Sequence, residues 1–166
     1  MNQQTTTLAA GDIHEYVHAA WCLAVSILWP DRQFSDESTV KALSDLQSYF
    51  TMAPDLAEAF KSFVARVVVA KLNTAKCPIL HPGFWLNPVN INGLTHSAKK
   101  SNAQQKLEKK DPAFDSSVGI IAKHYVNYIK NPSVNIVLRC KEDLENLGGN
   151  KWMGVFYDGI QRQPSI

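Results

Sequence analysis

Hydrophobic positions along the chain recur with helical rather than strand-like period, and the first long run sets the tone. From Asp12 to Pro30, Ile13, Val17, Ala20, Trp21, Ala24, Val25 and Leu28 fall on one broad arc at about 100° per residue. Leu23 lies nearly opposite, so the pattern predicts a helix over residues 12–29 covered on more than one side. Asp12 is a suitable N-cap, and Pro30 stops the run. Residues 1–11 are polar and read as a flexible tail, with 12–166 as a single domain.

Two more amphipathic stretches follow. Ser35 or Asp36 can cap a second helix with a stripe of Val40, Leu43, Leu46, Gln47 and Phe50. Pro54 suits the first turn of a third, and Asp55 and Glu58 favour its N-terminal dipole end. Its stripe is Leu56, Phe60, Phe63, Val64 and Val67, with Glu58, Lys61, Ser62 and Ala65 outside. Residues 73–102 then break the period with Pro78, Pro82, Pro88, Gly83 and Gly93, yet remain apolar. That segment is expected to pack across the helices, with a tight turn at Asn92-Gly93. After a lysine-rich stretch, Asp115 or Ser116 caps a helix with the stripe Val118, Ile121, Tyr125, Tyr128 and Ile129. Val134 to Cys140 is β-prone, Lys141 to Leu147 reads as one or two helical turns closed by Gly148-Gly149, and Trp152 to Tyr157 is β-prone again. The expected fold is therefore mainly α, a compact bundle of four to five helices with a minor antiparallel β element near the C-terminus.

Composition narrows the class. The 166 residues are 45% hydrophobic and 19% charged, enough apolar surface for a core without disulfides or metal. Cys22, Cys77 and Cys140 are odd in number and widely spaced, which argues against a disulfide framework and for a reducing, cytoplasmic setting. The start of the chain lacks a basic flank before an apolar run, unlike a secretory signal, and Ala19 to Trp29 is too short to span a bilayer. The net charge of +2 hides an asymmetry: residues 1–70 hold eight acids and four bases, a charge of −4, and the remainder carries +6.

Three constellations carry candidate chemistry. His14-Glu15-Tyr16-Val17-His18 matches the H-E-x-x-H pattern in which two histidines one helical turn apart bind zinc and the glutamate activates water. Only thirteen residues precede it, the third ligand is unspecified among His81, His96, His124 and a downstream acid, and Glu15 turns away from the histidine row that continues to Cys22. Packed histidines beside a buried helix face explain the pattern more simply. His14 and His18 thus stand as candidate metal ligands in an otherwise structural motif, and no cofactor is expected. A cysteine–histidine pair built on Cys77 or Cys140 is not selected by any spacing.

Lys99, Lys100, Lys106, Lys109 and Lys110 follow an aromatic segment, an arrangement that suits phosphates and unpaired bases. Arginine is scarce and no nucleic-acid-binding signature is present, so a solvated face is the plainer explanation. Finally, Phe84, Trp85 and Leu86 lie in the proline-rich segment 78–95 and are candidate partner-binding residues. With no catalytic set, the leading expectation is a non-enzymatic helical interaction or assembly module that binds a protein partner or its own copies, without membrane contact. The alternatives are an RNA-binding or other nucleic-acid-associated protein using residues 99–110, and a zinc-binding protein using the H-E-x-x-H helix.

Overall fold

In a computed structural model, residues 2–73, 82–86 and 100–163 are described, the side chains of residues 2–11 and of Phe84 excepted. The first helix, α1 (Asn2–Leu28), contains Asp12 within its length instead of being capped by it. From Ala19 to Trp29 every residue is buried. Four other helices pack around it, which is what apolar residues on all sides require.

Helix α2 (Asp36–Thr51) starts where Ser35 Oγ accepts from the Ser38 N–H at 3.1 Å. It buries Ala42, Asp45, Leu46, Tyr49 and Phe50. The expected stripe is rotated: Val40 is 64% exposed and Gln47 is exposed. Tyr49 accounts for the turn of the helix. Its ring packs edge-on against Phe50, and its hydroxyl donates to Ala59 O at 2.9 Å, so a large aromatic is buried with its polar end satisfied. Helix α3 (Leu56–Leu72) is capped by Asp55, whose Oδ1 accepts from Glu58 N–H at 3.2 Å, with Pro54 just outside. Phe60, Phe63, Val64 and Val67 are buried as expected, and so is Ala65, small enough to sit at the edge of the same face.

A four-residue helix, α4 (Pro82–Trp85), leads to Leu86, which is fully buried. Helix α5 (Asn102–Lys110) is capped by Ser101 and buries none of its residues, with Lys109 and Lys110 in the last turn beside its carbonyl end. Helix α6 (Phe114–Lys130) begins before the expected cap, at Phe114, whose buried ring packs against Trp152 with centroids 4.9 Å apart. Helix α7 (Val134–Leu147), a 3₁₀ turn at Asn150–Trp152 and α8 (Met153–Gly159) complete the described chain.

The helical class is as expected, but the β element is not: no strand occurs among the described residues, and both β-prone segments are helical. The helices also outnumber the expected four to five. Period explains the difference. Ile136, Val137, Cys140 and Leu144 face the core at helical spacing, while Val134 (73% exposed) and Leu138 (56% exposed) share the outer side one turn apart. The ends are equally decisive. Ser133 Oγ accepts from Asn135 N–H at 3.1 Å. Gly148 takes the left-handed φ of 81°, and Gly149 N–H donates back to Leu144 O at 2.8 Å, closing the helix in a Schellman turn. A β-branched run yields to caps and burial when these agree on a helix.

An aromatic seam runs through the centre. Tyr16, Phe50 and Phe60 pack together, Phe60 stacks on both Phe63 and Tyr125, and Tyr125 meets Phe156 edge-on. Each fully buried phenylalanine of the seam contributes roughly 1.5–3 kcal/mol by leaving water. Two sets of contacts hold the end of the described chain, one to α6 and one to the end of α1. Tyr125 Oη donates to Gly159 O at 2.7 Å, where Gly159 lies against Leu23. Ser26 Oγ donates to Arg162 O at 2.6 Å and accepts from its N–H at 3.0 Å, and the Arg162 guanidinium reaches Trp29 O at 3.0 Å.

Candidate functional site

The H-E-x-x-H residues lie on the middle of α1, just before its fully buried stretch. His14 is exposed and His18 half-buried. Burial, followed by the neighbouring His14, holds the His18 imidazole below its ordinary value, which favours the neutral form that a metal would need. The other requirements are not assembled. Glu15 pairs with Lys130 at 3.5 Å. Cys22, on the same row, is fully buried, and burial pushes its thiol up to about 12, far from a ligating thiolate. No group of three or more metal-binding side chains occurs among the described residues.

His124 is drawn elsewhere. Its Nε2 lies 2.8 Å from Asp143 Oδ2, joining α6 to α7. The pairing had no signature in the sequence because the two residues sit on separate helices. Cys140 is one turn from Asp143, but it is fully buried, and burial, then the Asp143 charge, push its thiol up to about 12. A thiol so placed is a packing group, not a nucleophile. Cys77, His81 and His96 lie outside the described residues.

The candidate partner-binding residues turn inward where they are described. Leu86 belongs to the core, and half-buried Trp85 meets Trp29 and Phe63 edge-on at 6.0 and 6.1 Å. Arg66 lies 4.2 Å above the Trp85 ring and donates from Nη2 to Trp85 O at 3.1 Å. Burial pushes the Arg66 guanidinium down to about 10, so it stays charged at neutral pH. The Phe84 side chain and the Asn92-Gly93 turn lie outside the described residues.

Of the lysines, Lys99 is outside the described residues, and Lys100 is tied down by Glu108 at 2.8 Å and Asp115 at 3.8 Å. Lys106, Lys109 and Lys110 are exposed and make no ion pair among the described residues. Their spacing of three and four places them on one face of α5.

The sequence did not point to a cleft of about 470 Å³ between α1 and the turn joining α2 to α3. Ile13, Phe50 and Leu56 make its apolar wall, Tyr16 lies along it, and Asp12 and Asp55 stand at its edge, both exposed. Burial raises the Tyr16 phenol above its ordinary value, and Asp12, Asp55 and Glu15 add to the rise through their charge. The phenol is thus a neutral donor or acceptor in a negative field. Asp55 could be read from the sequence as a helix-start residue, but its neighbourhood with Asp12 depends on how α1 crosses the α2–α3 turn. Compared with protein-family models, curated proteins and solved structures, the chain matches none.

Proposed function

We propose that this chain is a non-enzymatic helical interaction or assembly module, binding a protein partner or its own copies. The observation that carries the reading is the cleft beside Tyr16. It is open, partly apolar and edged by carboxylates, features that suit an amphipathic side chain of another polypeptide. Support also comes from what surrounds it. The described cysteines are buried with raised thiols, and the H-E-x-x-H glutamate is engaged by Lys130. Neither arrangement prepares a nucleophile or an activated water.

The test is sedimentation velocity over a concentration series, with Leu56→Gln as the probe of the cleft. Leu56 is only half-buried, so the substitution leaves the helical fold in place by circular dichroism. The expected result is association that weakens about tenfold in the variant, a change of about 1.4 kcal/mol. A chain that stays monomeric at every concentration and captures no protein partner at the cleft overturns the reading.

A further inference from the structure

The cleft and the α5 lysines are complementary, and their complementarity names an occupant. A lysine has a four-carbon stem that packs along apolar surface while its ammonium reaches for charge. The cleft offers a stem the walls of Ile13 and Leu56 and the Tyr16 ring, and offers an ammonium the carboxylates of Asp12 and Asp55. Asp55 uses Oδ1 to cap α3, which leaves its second oxygen for a ligand. On the other side, α5 presents Lys106, Lys109 and Lys110 together. The single acid of α5, Glu108, is already held by Lys100 at 2.8 Å and Gln104 at 3.0 Å, so it does not offset them. The two surfaces belong to oppositely charged parts of the chain, −4 over residues 1–70 and +6 over the rest.

We propose that the occupant of the cleft is the α5 lysine face of a second copy of this chain, so that copies associate by seating Lys106, Lys109 or Lys110 between Asp12 and Asp55. The inference rests on the assembly reading above and narrows it to one contact. Among the described residues these groups form no ion pair with each other or with any other group, which leaves their charges for a neighbour. Such a contact is held largely by charge at an exposed rim, and salt must weaken it. The screening length falls from about 10 Å at 0.1 M to about 3 Å at 1 M salt.

The experiment is sedimentation velocity on wild type, on Asp12→Asn with Asp55→Asn, and on Lys106→Glu with Lys109→Glu and Lys110→Glu. Asparagine keeps the α3 cap, and all five positions are exposed, so circular dichroism should match wild type. Wild type is expected to self-associate at low salt and to lose at least tenfold in affinity between about 0.1 and 1 M NaCl. Each variant alone is expected to be monomeric, and an equimolar mixture of the two to recover no more than a dimer. Self-association that both variants retain unchanged overturns the inference and leaves the assembly reading standing. Monomers throughout, with a separate protein captured at the cleft, do the same. Monomers with no partner of any kind overturn both. Should wild type remain monomeric but bind a labelled uridine oligomer, with the lysine variant failing to bind it, the α5 face serves nucleic acid and the inference falls.

Discussion

Ser117 and Gly149 form the most quantitative test of the packing described above. Ser117 Oγ is buried on α6 and has no hydrogen-bond partner among the described residues. A Cβ added to Gly149 would fall on that oxygen, 3.3 Å from Ser117 Cβ and 3.0 Å from Leu147 Cδ1. Ser117→Ala therefore removes an unsatisfied hydroxyl and adds a better helix former, and is expected to stabilise by about 1 kcal/mol. Gly149→Ala forces two neighbours apart at the Schellman turn and is expected to cost about 1–3 kcal/mol. In the double variant the worst clash is gone, leaving only the contacts at 3.0 and 3.3 Å. Its stability should exceed the sum of the single effects by about 1 kcal/mol or more. Urea denaturation measures this directly, provided the slope stays constant so that midpoints report stability. Two outcomes would refute the reasoning. Strict additivity means that the two positions do not touch. A Ser117→Ala variant less stable than wild type means that the hydroxyl has a partner.

Other expectations follow from the same contacts. Gly148→Ala must hold φ near 81° with a side chain, so it should lose about 1–2 kcal/mol, and Gly148→Asn less; equal midpoints for all three would contradict the left-handed cap. Arg162→Ala removes the guanidinium that caps the end of α1 and should cost about 1–2 kcal/mol in thermal unfolding, with Arg162→Lys only a partial replacement because the planar fork is lost. Asp111 gives a pH signature. Desolvation raises its carboxyl, but hydrogen bonds from Trp152 at 2.5 Å, Lys151 at 3.1 Å and the Ala113 N–H at 3.1 Å outweigh it and hold the group below its ordinary value. A depressed carboxylate adds stability that is fully present above the unfolded value of about 3.9 and disappears as pH falls through the folded one. The stability gap between wild type and Asp111→Asn should accordingly shrink below about pH 4, and a gap that widens on acidification would show the opposite linkage.

How much of this could be read from residue order depends on what set each feature. Ser35, Asp55 and Pro30 are local signals, and they sit at helix ends as expected because capping needs only neighbours in sequence. The phase of α2 was less legible, since Val40 and Tyr49 compete for the core and only the position of Ala59 on another helix decides between them. The start of α7 and the whole of α8 were hidden by β-prone residues whose preference is weak beside an occupied core, while Lys141 to Leu147 and its glycine end were legible. The lysine face was visible by count but not by pairing: Lys100, just before α5, is paired with the α6 carboxylate of Asp115 as well as with Glu108 of α5. The cleft was invisible because its carboxylates are 43 positions apart in the numbering from Asp12 to Asp55 and meet only through the helix crossing.

The clasp between Ser26 and Arg162 also dictates an order of events during synthesis. Helix α1 leaves the ribosome before α8, yet the Trp29 carbonyl just past its end finds its guanidinium partner 133 residues later. Until α8 emerges, the flank of α1 that Gly159 will cover at Leu23 has no lid. A nascent chain stalled at Gly149 therefore carries an apolar rod with its earlier neighbours in place and one side bare. Of the described helices, the one made earliest is thus the last to be covered, and its flank at Leu23 stays bare until α8 docks.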